Sequence, residues 1–177
     1  MANEFIGNYA PDDFTIVISA QGQVHRVTGF ADGSFVTFER LVPTSTPYQG
    51  IGDNPFMRTK RRVTAMTMTV TLHQGSPSNS ALQSLLDADS NTPGGDWIFA
   101  CTAKDTSGQT VVSSNSAIIA GPPTVGFSSD VETRDWQIYM FGSDLFIGGN
   151  MLLDDATVAF MENTGADVDP RWVLGGA

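Results

Sequence analysis

The sequence predicts a mainly β protein, an antiparallel β-sandwich or barrel with one flanking α-helix. Two observations predict this fold class. Short segments that alternate apolar and polar residues recur between turn residues, and apolar residues at helical spacing occur together in only one segment, 76–89. Many short strands with a single helix are typical of sandwiches and barrels. At 177 residues, the chain is predicted to form one domain over residues 1–177 that can bury a core.

Three strands are predicted in the first quarter of the chain, over residues 14–20, 24–27 and 34–42. The first places Phe14, Ile16 and Ile18 on one face, because side chains alternate along a strand. Between the second and third strands, Asp32 and Gly33 form a turn signal, since glycine supplies the positive φ that tight turns need. The third strand leads into the most unusual stretch of the chain.

This stretch is a long loop over residues 43–62. Loops longer than about 12–15 residues without structure of their own are uncommon, and most are functional or disordered. The loop holds large apolar side chains, which disordered segments lack, and four of the nine basic residues in a chain of net charge −10. The alternative is a mobile hairpin tip. We predict an arm that docks on another molecule through Pro47, Tyr48, Ile51, Phe56, Met57, Arg58, Lys60, Arg61 and Arg62.

A strand over residues 63–72 follows the loop and is predicted to pair with 34–42 as a hairpin. Its apolar side chains are predicted to pack on the core, and the hydroxyls of Thr67, Thr69 and Thr71 point to the opposite, wet face. Threonine is a good strand former on such a face. The apolar side chains are those of Met66, Met68, Val70 and Leu72.

The second half of the chain is predicted to continue the β pattern after the helix at 76–89. Serines are available to cap the helix, and Leu82, Leu85 and Leu86 have the spacing of one helix face. Strands are predicted over residues 96–103, 110–112, 116–119, 134–141, 145–147 and 156–160. The tail over residues 163–177 is loosely specified, with Trp172 as a docking point.

No catalytic or cofactor site is predicted. His25, His73 and Cys101 lack the partners of a common zinc site, and paired acids such as Asp12 and Asp13 are typical of turns. The acidic balance disfavours a protein that binds nucleic acid through its phosphates. No signal peptide or membrane-spanning stretch is recognised, so we expect folding in a reducing cytoplasm without contact with a membrane.

The order of several motifs resembles the tail tube proteins of contractile-tailed (myovirus-type) bacteriophages. The resemblance covers about residues 14–147 and does not extend beyond them. It rests on the order of the motifs rather than on any one of them. They are Gly29-Phe-Ala-Asp-Gly33-Ser-Phe, Ser76-Pro-Ser-Asn79-Ser-Ala-Leu82-Gln-Ser-Leu85, Asp105-Thr-Ser-Gly108, Ala120-Gly-Pro-Pro123 and Arg134-Asp-Trp136-Gln-Ile138.

The resemblance implies a structural subunit that forms hexameric rings, which stack into a tube for genome delivery. It further implies that the 43–62 arm reaches an adjacent ring and that inner strands join into a lumen barrel, with Thr67, Thr69 and Thr71 as candidates for its lining. Tail sheath, baseplate and tail terminator proteins would be partners, while tape measure protein and DNA would pass through an acidic lumen without specific binding. The expected location is the virion tail, assembled in the host cytoplasm.

Two alternatives remain open at this point. The inner tube of a related contractile injection system would share the fold and carry effectors instead of DNA. A β-sandwich binding module would recognise a sugar or a protein through exposed aromatic residues, for which Tyr48, Trp97, Trp136 and Trp172 are candidates. Aromatic residues on strands belong to the core more often than to a binding platform, so the structural subunit is the preferred interpretation. An enzyme is the least favoured class.

Overall fold

The computed structural model describes residues 7–52, 56–95 and 97–174. These residues form a mainly β, antiparallel structure with flanking helix, which confirms the predicted fold class. The strands are β1 Phe14–Ala20, β2 Gln23–Arg26, β3 Val36–Arg40, β4 Ser45–Gln49, β5 Phe56–Lys60, β6 Met66–His73, β7 Phe99–Asp105, β8 Val111–Gly121, β9 Thr133–Phe141 and β10 Asp144–Phe146. The helices are α1 Pro77–Asn91 and α2 Asp155–Asn163, with single 3-10 turns at Pro11–Asp13 and Pro170–Trp172.

Eight strands belong to one sheet in the order β2-β1-β7-β8-β9-β6-β3, with β10 paired to β8. Strands β4 and β5 form a separate two-stranded sheet. The predicted hairpin between the third strand and the threonine-rich strand is confirmed, because β3 pairs with β6 from Val36 opposite Val70 to Arg40 opposite Met66. Among the described residues, neither helix is long and apolar enough to cross a membrane.

The chain divides into two compact units. The larger unit comprises Ile16–Thr102 and Val112–Asp144, and the smaller unit comprises Met1–Thr15, Ala103–Val111 and Leu145–Ala177. The single domain over residues 1–177 stays a prediction.

The core of the larger unit is centred on the β6–β9 pair. Along β6 every second side chain is fully buried, beginning with Met66 and Met68. The antiparallel register sets Met66 opposite Met140 and Met68 opposite Ile138, so the buried side chains of the two strands share one face. A slip of one residue would turn this apolar face to the other side of the sheet.

Helix α1 begins and ends close to the predicted limits of 76–89. Ser76 is the N-cap, and its hydroxyl accepts a hydrogen bond from the Ser78 amide, with Pro77 at the first helical position. Leu82 is 1% exposed and packs in the core of the larger unit. The predicted i, i+3, i+4 pattern therefore identified both the helix and its inward face.

The predicted strand over residues 156–160 is wrong, because these residues lie in helix α2. The helix begins where the Asp154 carboxylate accepts a hydrogen bond from the Thr157 amide at 2.8 Å, and Asp155 lies in the first turn, where its charge favours the helix dipole. A four- or five-residue apolar run does not distinguish strand from helix by periodicity. The residues that the structure describes thus form two α-helices where one was predicted.

The long loop predicted over residues 43–62 is also corrected, because most of it forms the β4–β5 hairpin. Its prolines and glycines obscured the strand pattern, yet Pro47 is accommodated in a strand of a two-stranded sheet, which has only edge positions. Residues 53–55 of the predicted loop lie outside the described residues, as do Asp96 and residues 175–177 of the predicted tail. The following strand begins at Met66 rather than at Val63.

Candidate assembly surfaces

The β4–β5 hairpin brings together the residues predicted to form the docking arm. Its register places Tyr48 opposite Met57 and Pro47 opposite Arg58. Cross-strand partners project from the same face of a sheet. One face therefore carries Tyr48 with Met57, and the other carries Arg58 and Lys60 together with the Phe56 ring.

All residues of β4 and β5 are exposed. The exposed fraction is 64% for Tyr48, 80% for Phe56 and 66% for Met57, and it reaches 96% for Ile51 beyond the end of β4. An isolated two-stranded hairpin is only marginally stable in water, and contiguous exposed apolar side chains mark interaction sites. The hairpin has the properties of an element that is completed by a partner.

The cations of this arm are available for contacts. Arg58, Lys60, Arg61 and Arg62 are exposed, and none of them forms an ion pair within the described parts of the chain. The Arg61 amide donates to the Thr44 carbonyl at 2.8 Å, which extends the hairpin by one further contact. Four positive charges are thus concentrated at the base and on one face of the hairpin, in a chain that is otherwise strongly acidic.

The second predicted surface is the threonine face of β6. Thr67, Thr69 and Thr71 are half-buried and alternate with the buried core residues. Strands β3 and β9 flank them with Glu39 opposite Thr67 and Asp135 opposite Thr71, and the Thr71 hydroxyl donates to the Asp135 carboxylate at 2.7 Å. None of the outward positions of β3, β6 and β9 is Lys or Arg. This face is polar and carries negative charge.

The helix is fixed to the sheet by a polar cluster that we call the helix seat, formed by Thr28, Ser76, Ser78, Asn79 and Trp136. The Ser76 hydroxyl donates to the Thr28 carbonyl at 2.5 Å, and the Ser78 hydroxyl accepts from the Thr28 amide at 2.9 Å. The Trp136 indole donates to the Asn79 side-chain oxygen at 2.9 Å. Two separate motifs of the sequence and the residue that precedes a third, Thr28, therefore meet at one place, which sequence reasoning did not predict.

Gly29 allows this close approach of strand and helix. It has φ +74°, and a Cβ added there would lie 2.6 Å from the Ser76 Cβ and 2.9 Å from His73 Nε2. Real Cβ atoms do not approach other heavy atoms so closely. Gly33 also has a positive φ, of +89°, but open space surrounds its Cβ position. Gly29 is therefore required by packing as well as by backbone conformation.

In the smaller unit, the turn that begins at Asp105 is held by its own carboxylate. One oxygen accepts from the Ser107 amide at 2.9 Å and from its hydroxyl at 2.6 Å, and the other accepts from Asn150 Nδ2 at 2.9 Å. Burial alone would raise the pKa of Asp105, but the hydrogen bonds from Ser107 and Asn150 outweigh it and lower the pKa below its usual value. Asn150 thus anchors the segment before α2 to this turn.

We expect this carboxylate to make stability sensitive to acid. Because folding lowers its pKa, its contribution is complete above the unfolded-state value of about 3.9 and is lost as the pH falls through the folded-state value. Asp105→Asn should therefore destabilise the protein more at pH 7 than at pH 3, as measured by urea unfolding at each pH. Asp130→Asn, which changes an exposed side chain, is the control. A pH-independent effect of Asp105→Asn would contradict the prediction.

Cys101, in strand β7, is a core side chain with no exposed surface. Burial raises the pKa of its thiol to about 12, so the reactive thiolate is scarcely formed at neutral pH. We expect a disulfide reagent to modify Cys101 only at the rate of unfolding, with urea accelerating the reaction. Rapid modification of the folded protein would show that this part of the core opens readily.

The four aromatic residues considered for a binding module differ in exposure. Trp136 is 2% exposed and belongs to the helix seat. The Trp97 indole donates to the Thr92 hydroxyl at 3.0 Å, at the end of α1. Tyr48 is exposed on the hairpin, and Trp172 lines a groove of the smaller unit.

Comparisons with known proteins place this chain among phage proteins. No family model matches it. It is 38% identical over 167 residues to structural protein ORF10 of Pseudomonas phage KPP10, a match that covers 93% of this chain and 96% of that protein. A chain in the structure of the anti-feeding prophage cap, the AFP tube terminating cap, has a TM-score of 0.50 at 11% identity, covering 82% of this chain and 99% of that one.

A second chain, from the structure of the anti-feeding prophage (AFP) baseplate, has a TM-score of 0.48 at 9% identity and covers 86% of this chain and 100% of that one. At such low identity the likeness to the cap chain shows a common fold alone. The relationship in sequence to the phage protein is of a different kind, because it extends over nearly the whole of both chains.

Proposed function

The chain belongs to the family of phage structural proteins that includes structural protein ORF10 of Pseudomonas phage KPP10, and from this we propose that it is the repeating subunit of a phage tail tube. In this proposal, copies form hexameric rings and the rings stack into a channel for genome delivery. Tail sheath, baseplate and tail terminator proteins contact the tube. Assembly takes place in the host cytoplasm.

The observation that carries the proposal is that every residue of strands β4 and β5 is exposed. The apolar side chains of Tyr48 and Met57 are exposed, and so are the cations of the hairpin. Exposed apolar groups on a two-stranded hairpin add little to the stability of a monomer. An element of this kind is stabilised when it docks on a neighbour. When the donor and acceptor surfaces differ, the contact is head-to-tail, and such contacts generate closed rings or open filaments.

The threonine face supports a role as the channel lining. Its outward positions on β3, β6 and β9 lack Lys and Arg and include Glu39 and Asp135. Phosphate contacts that would retain DNA need positive charge, so a polar, negatively charged wall lets DNA pass. In the proposal, Thr67, Thr69 and Thr71 face this lumen, through which the tape measure protein and DNA pass without specific binding.

Negative-stain electron microscopy of the purified full chain at high concentration tests the proposal. We expect rings and hollow tubes whose abundance rises with protein concentration. Solid aggregates, or a monomer at all concentrations and in the presence of baseplate nuclei, would contradict it. Short capped rings without tubes would instead indicate a subunit from the end of a tube.

The inner tube of a related contractile injection system is the nearest rival. Its subunits would also assemble into tubes, so microscopy of the purified chain does not separate the two. Purified particles from the source would do so. Tubes attached to DNA-filled capsids would support the phage role, and tubes that contain proteins instead of DNA would support the rival.

A further inference from the structure

We propose that the β4–β5 hairpin of one copy docks on the C-terminal extension of a second copy. We define this extension as residues 144–174, which follow the last of the motifs named above, Arg134-Asp-Trp136-Gln-Ile138. The inference rests on the proposed self-assembly and adds the acceptor surface that the assembly requires.

The charges of the two segments are opposite. Residues 43–62 contain four basic residues and one acidic residue, whereas residues 144–174 contain six acidic residues and one basic residue. The one base of the extension, Arg171, is already paired, since its Nε donates to both oxygens of Asp169, at 3.1 and 2.9 Å. Hydrogen bonds from Arg171 lower the pKa of Asp169 to about 2, so this pair stays ionised. Glu162 and Asp167 remain exposed and without an ion pair among the described residues.

The extension also exposes apolar side chains. Helix α2 has no buried residue, and its Phe160 ring is 70% exposed. Ile147 and Met151, in the segment before α2, are 76% and 57% exposed. A surface with this composition is unfavourable in water unless another surface covers it. The hairpin offers an apolar group of comparable size in the Phe56 ring, which lies on the same face as Arg58 and Lys60.

A groove in the smaller unit can receive such side chains. Its volume is about 530 Å³, and its lining includes the apolar side chains of Phe146, Met161 and Trp172. Its charged lining residues are the acids Asp167 and Asp169 and the bases Lys104 and Arg171. Aromatic anchors that enter a pocket and are surrounded by polar contacts supply most of the energy of many interfaces. The Phe56 ring shares a face with Arg58 and Lys60, so its entry into this groove would bring these two cations towards Asp167.

Each copy carries both surfaces, the hairpin and the extension, and the two are different. A contact between them is heterologous, and every copy can then bind one neighbour through its hairpin and another through its extension. This arrangement needs no additional protein for growth. Complementary charge also speeds the encounter and disfavours contacts of hairpin with hairpin, where like charges would meet.

Charge reversal in the full chain tests the pairing. Arg58→Glu with Lys60→Glu reverses the hairpin, and Glu162→Lys with Asp167→Lys reverses the extension. We expect each double variant to raise the concentration needed for assembly by roughly tenfold or more, because repulsion replaces attraction. Combining all four changes in one chain should restore assembly. Asp32→Lys with Asp130→Lys, two exposed acids elsewhere, is the matched control and should have little effect.

Cysteine cross-linking gives an independent readout. Met57→Cys and Phe160→Cys are made in separate chains, and the two chains are mixed under mild oxidation, with Ser34→Cys as the control for Phe160→Cys. Cys101 is buried and should not interfere. We expect a cross-linked dimer between the Met57→Cys and Phe160→Cys chains and not with the control.

The outcomes separate this inference from the proposed function. If the wild-type chain forms tubes and the extension reversal behaves like the control, or if the fourfold variant fails to recover, the extension is not the acceptor, while the tube role stands. If the wild-type chain forms neither rings nor tubes, the proposed function itself fails. Rescue together with the specific cross-link establishes the pairing.

Discussion

Removing the hairpin is expected to abolish tube formation while leaving the subunit folded. Thr46 and Thr59 are cross-strand partners, so residues 47–58 can be replaced by Asn-Gly, a two-residue turn that closes antiparallel strands. The described residues removed from the two strands are exposed, so the truncation takes none of their side chains out of the core. We expect a urea midpoint close to that of the wild type and no tubes by microscopy.

Two double variants separate the contributions that the truncation removes together. Tyr48→Ala with Met57→Ala removes the apolar face and keeps the cations, and Arg58→Gln with Lys60→Gln removes two charges and keeps the apolar face. If the apolar pair supplies most of the contact energy, the first variant should impair assembly at all salt concentrations. The second should impair it chiefly at low salt, where exposed charges are least screened. Long tubes formed by the truncated chain would show that assembly does not require the hairpin.

The sequence predicts best those elements whose pattern is local. The alternation of apolar and polar residues along β6 identified its buried face. The pairing of β6 with β3 was also predicted, because the two strands flank one connection in the sequence. The start of α1 was visible in Ser76 and the leucine spacing. Helix α2 was missed because its first turn depends on one side-chain cap, Asp154, and its short apolar run fits either period.

Contacts between distant segments were not predictable in the same way. The sequence marked Gly29, Ser76 and Trp136 as parts of separate motifs, but only the fold shows that they form one seat for the helix. The arm residues were identified by composition, yet their division into an apolar and a basic face follows from the register of β4 with β5. Register depends on pairing, which a single sequence does not specify in a stretch broken by proline and glycine.

Gly29→Ala is expected to cause the largest loss of stability among single substitutions considered. A side chain at φ +74° costs about 1–2 kcal/mol, and forcing a methyl group into a packed contact costs about 1–3 kcal/mol more. Ser76, which the new Cβ would meet at 2.6 Å, caps α1 and donates to Thr28, so it can move only by giving up these contacts. We expect the free energy of unfolding to fall by about 2–5 kcal/mol in urea titrations.

Gly33→Ala is the matched control, because Gly33 has a comparable φ of +89° with nothing near its Cβ position. It should show the backbone cost alone, about 1–2 kcal/mol. The difference between the two variants measures the packing of Gly29 against Ser76. If both lose the same amount, Ser76 moves aside without cost, and the helix is held by Leu82 and its core contacts rather than by the polar seat. A larger loss for Gly29→Ala means that the spacing between strand and helix is set by the absence of this one methyl group.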